Sequence, residues 1–402
     1  MSEQQNTDTV TPLVARYLDI EQVTQGGGRL PYTVRYSGKL RINSERTHRE
    51  LTAALKAQKL NVFLREDKGQ HEILMVPAGP RPPRSNPWVN LAFFLLTLAS
   101  VVFTGVLYEL GEHTPANLNE WLAALPSGLP FAAALLSILL AHEFGHYLAA
   151  RYHGTEVTLP YFLPFPFSPF GTLGAFIRLK EQPLNKKVLF DIGIAGPLAG
   201  LVVAIPVLLI GLRLSELNQL PAFIPAGDAI SLEGNSILYL ASKYLIFGQW
   251  LPAPESYGGL HPIVYWLRYI FTGQPTPLGG MDVFLHPVAW AGWAGLLVTA
   301  FNLVPAGQLD GGHILYALMG KRMRVLWPFI LAGLAILGFF YSGWWIWVFL
   351  IFYMGRTNAE PRDDVTLLDT GRKILAWIGI LIMILVFTPI PLRLIQGPFG
   401  GP

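Results

Sequence analysis

The segment His142–His146 has the residue types and the spacing to bind a metal ion and to activate water. His142 and His146 are four positions apart, so on a helix both rings point to the same side. Two neutral imidazoles at that spacing suit Zn²⁺, which lowers the pKa of a bound water, and Glu143 between them can take that water's proton. A catalytic site of this kind also needs a third protein ligand and one open position.

A second polar stretch, Asn302 to Gly311, can complete such a site. Asp310 precedes two glycines and an apolar, helix-like segment, so it is either the N-cap of that helix or the third metal ligand, and the spacing favours neither. Asn302 can form a hydrogen bond between helices, or it can stabilise an oxyanion through its amide NH₂. His313 can bind the metal or line the site, and a structural position beside the site is favoured.

The composition indicates a membrane protein. The chain has 402 residues, of which 52% are hydrophobic and only 14% are charged, whereas a soluble domain carries about 25% charged residues. The net charge of +3 suggests no nucleic-acid partner. The chain has no cysteine, so a zinc site must use histidine and carboxylate ligands. Residues 1–13 are polar and have the pattern of neither a signal peptide nor an Arg-rich transit peptide.

Long uncharged stretches predict a polytopic α-helical membrane protein with about seven spans. Residues 325–354 are interrupted at Ser342-Gly343, which favours two short spans over one. The predicted spans are residues 88–108, 129–150, 189–212, 288–303, two within 325–354, and 374–386.

Basic residues flank the start of the first span and the end of the second, which predicts a cytosolic N-terminus. His142 then lies inside the membrane, nearer to its cytosolic end, and the fourth span brings Asp310 to the same side. A His or Glu residue inside a span is costly, and this cost favours a functional role for these side chains.

The N-terminal part is predicted to be a small cytosolic α+β domain. Residues 1–30 are interpreted as a flexible tail, 31–76 as the domain, 77–87 as a Pro-rich linker, 88–392 as the membrane domain and 393–402 as a C-terminal tail. A structural or docking role for the small domain is favoured over ligand binding.

The loop from Thr155 to Leu179 has four prolines among five aromatic residues and is predicted to be a re-entrant or interfacial hairpin over the site. An exposed edge there can pair with an unwound substrate segment, or the loop can be a lid without substrate contact.

Asp191, at the start of the third span, suits a helix N-terminus more than metal ligation. In the outer region 215–285, one or two interfacial helices are expected, and Asp228, Glu233 and Asp282 are expected to be solvated.

Several of these motifs together resemble the site-2 protease family (peptidase M50) of intramembrane zinc metalloproteases, most closely its plant-plastid EGY-type branch and the prokaryotic relatives of that branch. The resemblance covers residues 88–390 and includes Gly171–Phe176, Asp191–Pro197 and Gly295–Leu303 besides the two stretches above. It implies that His142, His146 and Asp310 bind zinc, that Glu143 is the base, and that Asn302 assists the oxyanion. The usual second motif has Asn-Pro directly before Asp-Gly, whereas Leu309 precedes Asp310 here.

The sequence therefore predicts an intramembrane metalloprotease with one Zn²⁺ per chain. Its substrate would be a transmembrane helix of another protein in the lipid bilayer, unwound around the scissile bond. The expected location is a prokaryotic cytoplasmic membrane. Two alternatives remain at this stage, a membrane metal-ion transporter and a non-catalytic binder of membrane helices.

Overall fold

The structure, a computed structural model, describes residues 10–26, 32–80, 85–111, 115–354 and 359–397. Its N-terminal part is a four-stranded antiparallel sheet with the strand order β1-β2-β4-β3 and one covering helix, here called the sheet domain. Alternate residues of β3, among them Val62 and Leu64, pack against Leu51 and Leu55 of the helix. The elements are β1 (Leu18–Gln25), β2 (Val34–Leu40), α1 (Ser44–Leu55), β3 (Leu60–Asp67) and β4 (Gln70–Pro77).

The sheet domain begins earlier than the sequence predicts. Residues 10–14 are helical and β1 pairs with β2, so residues 10–26 are not a flexible tail. Val14 and Leu18 are fully buried in the domain core. Most of β1 is polar because it is an edge strand with one face open to solvent. Its sequence therefore lacks the alternation of apolar and polar residues that predicts a strand. The remainder of the predicted tail, residues 1–9 and 27–30, and residues 81–84 of the predicted linker lie outside the described residues.

The rest of the described chain is mainly helical. Its first half contains α2 (Pro87–Leu110), α3 (Leu118–Ala124), α4 (Leu129–Tyr152), β5 (Tyr161–Pro164), β6 (Thr172–Phe176), α5 (Lys186–Leu214), β7 (Glu216–Gln219), β8 (Ala229–Glu233) and α6 (Ile237–Phe247). Its second half contains α7 (Pro262–Thr272), β9 (Met281–Phe284), α8 (Pro287–Asn302), α9 (Asp310–Met319), α10 (Trp327–Gly338), α11 (Trp344–Met354), α12 (Thr370–Val386) and β10 (Leu392–Gln396).

Three helical segments of the described chain are long and apolar enough to cross a membrane, namely Pro87–Leu110, Leu118–Tyr152 and Lys186–Leu214. The remaining predicted spans correspond to shorter helices: α8 has 16 residues, α10 has 12, α11 has 11 and α12 has 17. The predicted interruption at Ser342-Gly343 is confirmed, because α10 and α11 are separate helices joined there by a turn. The described helices thus give a membrane protein with three spans of full length.

Helices α4, α5 and α8 pack closely because small residues line their contacts. A Cβ at Gly292 of α8 would lie 2.6 Å from the Cα of Leu208, and one at Gly295 would lie 2.8 Å from the side chain of Ile138. Glycine at these positions lets the backbones approach, which is how helices gain van der Waals contact in a bilayer. This packing brings the C-terminal end of α8, with Asn302, next to α4.

Strands β5 and β6 form the hairpin that the Pro- and Phe-rich loop was predicted to contain. Asn90 of α2 donates to the carbonyl oxygens of residues 159 and 160 at 2.9 and 3.0 Å, and Ser100 donates to the carbonyl of Gly171 at 2.6 Å. The hydroxyl of Tyr108 donates to the carbonyl of Pro169 at the hairpin tip. Asn90 and Tyr108 lie about 27 Å apart along the axis of α2. The hairpin therefore lies along α2 for most of the length of that helix.

The region of residues 215–285 contains a buried charged cluster that the sequence did not suggest. Glu233 and Asp282, expected to be solvated, are 9% and 4% exposed. They flank the fully buried Lys243 of α6, whose Nζ lies 3.6 Å from Glu233 and 3.5 Å from Asp282. Burial raises the pKa of Glu233 to about 7, Asp282 adds to this effect, and Lys243 opposes it. The solvated prediction was wrong for these two acids because β8, β9 and α6 converge around one lysine.

Candidate metal centre

Helix α4 positions both histidines of the first motif. It runs unbroken from Leu129 to Tyr152, so His142 and His146 lie one turn apart on the same side. Their Nε2 atoms are 3.2 Å apart, and both residues are buried, at 3% and 6% exposure. The spacing that the sequence predicts therefore gives two convergent ring nitrogens inside the protein.

Helix α9 brings Asp310, which lies 164 positions after His146 in the chain, to these rings. The Oδ2 atom of Asp310 lies 3.3 Å from Nε2 of His142 and 3.3 Å from Nε2 of His146. The N-cap of α9 is Leu309, and Asp310 is the first helical residue, so its carboxylate does not cap the helix. Of the two interpretations of Asp310, the geometry favours metal ligation.

Two glycines allow the start of α9 to approach the preceding bend. A Cβ at Gly311 would lie 2.0 Å from the carbonyl oxygen of Leu303, and one at Gly312 would lie 2.4 Å from that of Gly307. Since these neighbours are backbone atoms, they cannot move aside as a flexible side chain does. The Gly311-Gly312 pair therefore fixes the position of the helix start and, with it, the position of Asp310.

The tautomer of His146 follows from its second ring nitrogen. Nδ1 of His146 lies 2.7 Å from the backbone carbonyl oxygen of Ile192 on α5, and a carbonyl can only accept a hydrogen bond. Nδ1 therefore carries the proton, and Nε2 presents its lone pair to His142 and Asp310. An N–H donated to a carbonyl is the usual way in which proteins orient a histidine ligand.

Helix α5 leaves room for the two rings through its glycines. A Cβ at Gly196 would lie 2.0 Å from Nε2 of His146, and one at Gly200 would lie 3.2 Å from Nδ1 of His142. On α4, a Cβ at Gly145 would lie 2.5 Å from the carbonyl oxygen of Ala195. The two helices therefore cross at glycine positions, and the metal-binding motif lies at this crossing.

The three donor atoms fit a zinc ion. His142, His146 and Asp310 form the one group of three or more potential metal-binding side chains found among the described residues. In a tetrahedral zinc site with ligands at about 2.0 Å, neighbouring donor atoms are about 3.3 Å apart, and the three separations here are 3.2, 3.3 and 3.3 Å. Two imidazoles and one carboxylate also match the donor set of a catalytic zinc site with one open position.

Glu143 lies beside this group and is 5% exposed. Its Oε2 atom is buried and forms no hydrogen bond with the described residues. The backbone amide of Ile177, just beyond β6 of the hairpin, is within hydrogen-bonding reach of its carboxylate. Glu143 therefore lies between the histidines and the hairpin, with one oxygen available to a small polar molecule.

The other polar residues singled out in the sequence have separate positions. Asn302, at the end of α8, has its Nδ2 atom 3.2 Å from Nε2 of His142, so its amide borders the donor set. His313 is partly buried and contacts α5 at Gly193. Asp191 forms two hydrogen bonds with Arg372 of α12, at 2.8 and 2.6 Å, and one contact of 2.9 Å with His153. Asp191 thus joins three helix ends and is not among the metal-binding side chains.

Two backbone groups at this site could not be recognised in the sequence. The carbonyl of Ile192 orients His146, and the amide of Ile177 approaches Glu143. Every residue has both groups, so only the fold reveals which ones are used. The role of Gly196 and Gly200 in leaving space for the histidine rings also becomes visible only in the fold.

Comparison with known proteins gives a consistent family match. Residues 130–337 match the family model described as "Peptidase family M50". The chain is 31% identical over 322 residues to "Probable zinc metalloprotease EGY1, chloroplastic" of Oryza sativa subsp. japonica, a match that covers 75% of this chain and 50% of that protein. The protein of the same name from Arabidopsis thaliana is 29% identical over 328 residues, with 75% and 53% covered.

A third relative, "Probable zinc metalloprotease EGY2, chloroplastic" of Arabidopsis thaliana, is 29% identical over 289 residues, which is 70% of this chain and 46% of that protein. The chain thus spans about half the length of the curated relatives that it matches. No solved structure matches the chain.

Proposed function

The chain belongs to peptidase family M50, and from this premise we propose that it is an intramembrane zinc metalloprotease. It would hydrolyse a peptide bond in or near a transmembrane helix of another membrane protein. The observation that carries the proposal is the convergence of His142, His146 and Asp310, with donor atoms 3.2–3.3 Å apart, beside a buried glutamate.

His142, His146 and Asp310 would hold the zinc ion. When bound, zinc lowers the pKa of a water and polarises the carbonyl of the scissile bond. The burial of both histidines and the carbonyl of Ile192 would keep the ring of His146 in the ligating orientation.

Glu143 would act as the general base and then as the general acid. Its buried, unpaired Oε2 atom is free to accept a proton from the attacking water. The same carboxyl would then donate this proton to the leaving amine, which restores the starting protonation state. Asn302, whose Nδ2 atom borders the donor set, would donate a hydrogen bond to the oxygen on which negative charge develops.

The β5-β6 hairpin is proposed to hold the substrate segment. It is a two-stranded sheet, so among the described strands each of its outer edges lacks a partner. Strand β5 lies on α2, and the segment after β6 reaches Glu143. An unwound substrate segment that adds to the edge of β6 would satisfy its own backbone hydrogen bonds next to the base. The alternative, a lid without substrate contact, would leave this edge unused.

We further propose seven spans, with the shorter apolar helices completing the set, and a cytosolic sheet domain. The orientation is supported by the basic residues at the end of α4, after the hairpin and at the start of α5, on the side where the sheet domain docks: Arg151, Arg178, Lys180, Lys186 and Lys187. The proposed location is a prokaryotic cytoplasmic membrane, whereas the curated relatives are named as chloroplastic. The lipid bilayer and a transmembrane protein substrate are the proposed partners.

The direct test combines zinc analysis with cleavage of a model transmembrane substrate by purified protein. We expect about one zinc per chain in the wild type, unchanged zinc in Glu143→Gln, and a loss of zinc in Asp310→Ala. Cleavage should fall by roughly 10²–10⁴-fold in Glu143→Gln, because general acid–base catalysis is lost. Glu109→Gln, which changes an exposed glutamate of α2, is the control and should cleave normally.

Cleavage by Glu143→Gln at the wild-type rate would refute the proposal. Family membership does not favour the two alternatives, a metal-ion transporter and a non-catalytic binder. Zinc uptake by liposomes that contain the protein, without any cleavage, would revive the transporter interpretation.

A further inference from the structure

A buried carboxylate, Asp364, joins the sheet domain to the two helices that support the metal centre. It lies in the segment Glu360–Thr366, here called the clamp segment, which precedes α12. Asp364 is 6% exposed, and both its side chain and its carbonyl form contacts with buried polar groups. None of these residues has a role in the chemistry proposed above.

One side of the clamp segment is attached to the sheet domain. It runs parallel to the edge of β3, with the amide of Leu64 donating to the carbonyl of Arg362 at 2.9 Å and the amide of Asp364 donating to the carbonyl of Leu64 at 3.0 Å. The guanidinium of Arg65 donates to the carbonyls of Pro361 and Arg362, at 2.9 and 3.0 Å. The clamp segment therefore pairs with the edge of the sheet through a single parallel bridge between Leu64 and Asp363.

The other side of the clamp segment is attached to α9 and α5. The hydroxyl of Tyr316 donates to Oδ1 of Asp364 at 3.0 Å, and Nζ of Lys186 donates to the carbonyl of Asp364 at 2.6 Å. Nζ of Lys186 also lies 3.3 Å from Oδ1. Tyr316 and Lys186 are 1% and 7% exposed. One residue thus accepts hydrogen bonds from two different helices in a buried site, where losing a partner is costly.

Each of these two helices contributes to the metal centre, because α9 carries Asp310 and α5 supplies the carbonyl that orients His146. Tyr316 is six residues after Asp310 on α9, and Lys186 is six residues before Ile192 on α5, whose carbonyl orients His146. Six helical residues span about 9 Å. Asp364 therefore connects α9 and α5 about 9 Å from the metal centre. The connection lies six residues from Asp310 on α9 and six residues from Ile192 on α5.

We propose that Asp364 is a positioning residue for the metal centre, held in place by the sheet domain. By fixing α9 relative to α5, whose Ile192 carbonyl orients His146, it would set the distance of Asp310 from the ring of His146. The sheet domain would then be a structural part of the catalytic unit, and a partner that pulled on it would change metal binding. The inference rests on the proposed zinc site, but not on peptide hydrolysis.

The test is the metal affinity of the full-length protein, measured by chelator competition for Zn²⁺ and by the visible spectrum of the Co²⁺ form. Tyr316→Phe removes only the hydroxyl that reaches Asp364. The matched control is Tyr239→Phe, because Tyr239 is equally buried and donates to Glu233 at 2.8 Å in the outer region, far from the metal. Both variants lose one buried tyrosine–carboxylate hydrogen bond.

We expect Tyr316→Phe to weaken the Zn²⁺ affinity by about tenfold, the lower end of the effect of losing an outer support of a metal site, and to alter the Co²⁺ spectrum. Tyr239→Phe should stay within twofold of the wild type. Arg65→Gln, which loosens the sheet domain without touching Asp364, should change affinity in the same direction as Tyr316→Phe.

Equal affinities and spectra for the wild type, Tyr316→Phe and Arg65→Gln would overturn the inference. So would an equal loss in Tyr239→Phe, because the effect would then be a general one of stability. If the wild type bound zinc but cleaved no substrate, the proposed function would be wrong. The zinc affinities of the variants would still show whether Asp364 positions the metal centre. A wild type that bound no metal would contradict both.

Discussion

At the scale of single residues, the proposed metal centre depends on glycines that leave space as well as on the side chains that offer donor atoms. Two histidines and one aspartate offer the donor atoms, but the ring of His146 fits only because α5 has a glycine where any other residue would place a Cβ on that ring. At Gly196 this Cβ would lie 2.0 Å from the ligating nitrogen of His146. The hydrogen bond between Nδ1 of His146 and the carbonyl of Ile192 opposes any movement of the ring away from this Cβ.

Gly196→Ala should therefore abolish metal binding while the protein still inserts in membranes. The added methyl group forces His146 out of the ligating orientation, and we expect zinc affinity to fall by at least about 100-fold, the upper range for disturbed ligand support. Zinc content and chelator competition would measure the change. The same substitution at Gly333 of α10 is the control, because no atom lies within 4 Å of its added Cβ.

Gly333→Ala should keep full zinc content and gain slightly in helix stability, since alanine is favoured over glycine in a helix by about 1 kcal/mol. Normal zinc content in Gly196→Ala would mean that the helices can separate at this point without cost, and that the crossing of α4 and α5 does not restrict the site.

At the scale of elements, the hairpin of β5 and β6 is held against α2 by polar contacts along its length. Gly171, at its tip, has φ +71° and leaves a Cβ only 2.7 Å from Oγ1 of Thr104 and 2.8 Å from the carbonyl oxygen of Ser100. Glycine is thus needed there both for its backbone conformation and for close approach. Displacing the tip would tilt the whole hairpin, including the segment that reaches Glu143.

Gly171→Ala should lower kcat/KM for a transmembrane substrate by about 10- to 100-fold, because small displacements of positioning groups carry losses of this size. Zinc content should stay normal, since the ligands lie on helices α4 and α9. Gly154→Ala is the matched control: its φ of +70° gives equal backbone strain, but no atom lies within 4 Å of the added Cβ.

Comparable rates for Gly171→Ala and the wild type would show that the hairpin tip tolerates displacement and would weaken the case for substrate pairing at β6. A similar loss in both variants would assign the effect to backbone strain rather than to the contact with α2.

At the scale of the whole molecule, the sheet domain and the membrane helices form one connected structure. The clamp segment joins β3 to α5 and α9, and Arg372 of α12 joins Asp191 of α5 at the same end of the helices. The polar contacts between the domain and the helices therefore lie on one side of the membrane helices, and the region of α6 and α7 lies on the other. With the sheet domain and the region of α6 and α7 on opposite sides of the helices, each of them would face a different side of the bilayer.

The orientation can be tested with single cysteines, because the natural chain has none. Lys68→Cys introduces an exposed thiol in the sheet domain, and Ser256→Cys introduces one in the outer region. With a membrane-impermeant maleimide on intact cells, we expect labelling of Ser256→Cys only, and labelling of both after permeabilisation. Labelling of Lys68→Cys in intact cells would contradict the proposed orientation, because the sheet domain would then lie outside the cytosol.

The elements whose signals are local could be predicted from the sequence alone. The spacing of His142 and His146 on a helix, the apolar length of α4 and the interruption between α10 and α11 depend on neighbouring residues, so periodicity and turn chemistry were sufficient. The edge strand β1 was missed because one of its faces is solvated and its pattern resembles a polar tail. The separate motifs also sufficed to predict the family, because they occur in a fixed order.

The tertiary structure favours metal ligation over capping for Asp310, because its Oδ2 atom lies 3.3 Å from both ring nitrogens, whereas a carboxylate at a helix start has the same local sequence in either role. It also decided which backbone carbonyl orients His146, where Glu233 and Asp282 lie, and that Asp364 accepts bonds from two helices. These features join residues that are far apart in the chain. The physical reason is that contacts of this kind depend on how helices cross, and crossing positions are set by the packing of the whole core rather than by any single segment.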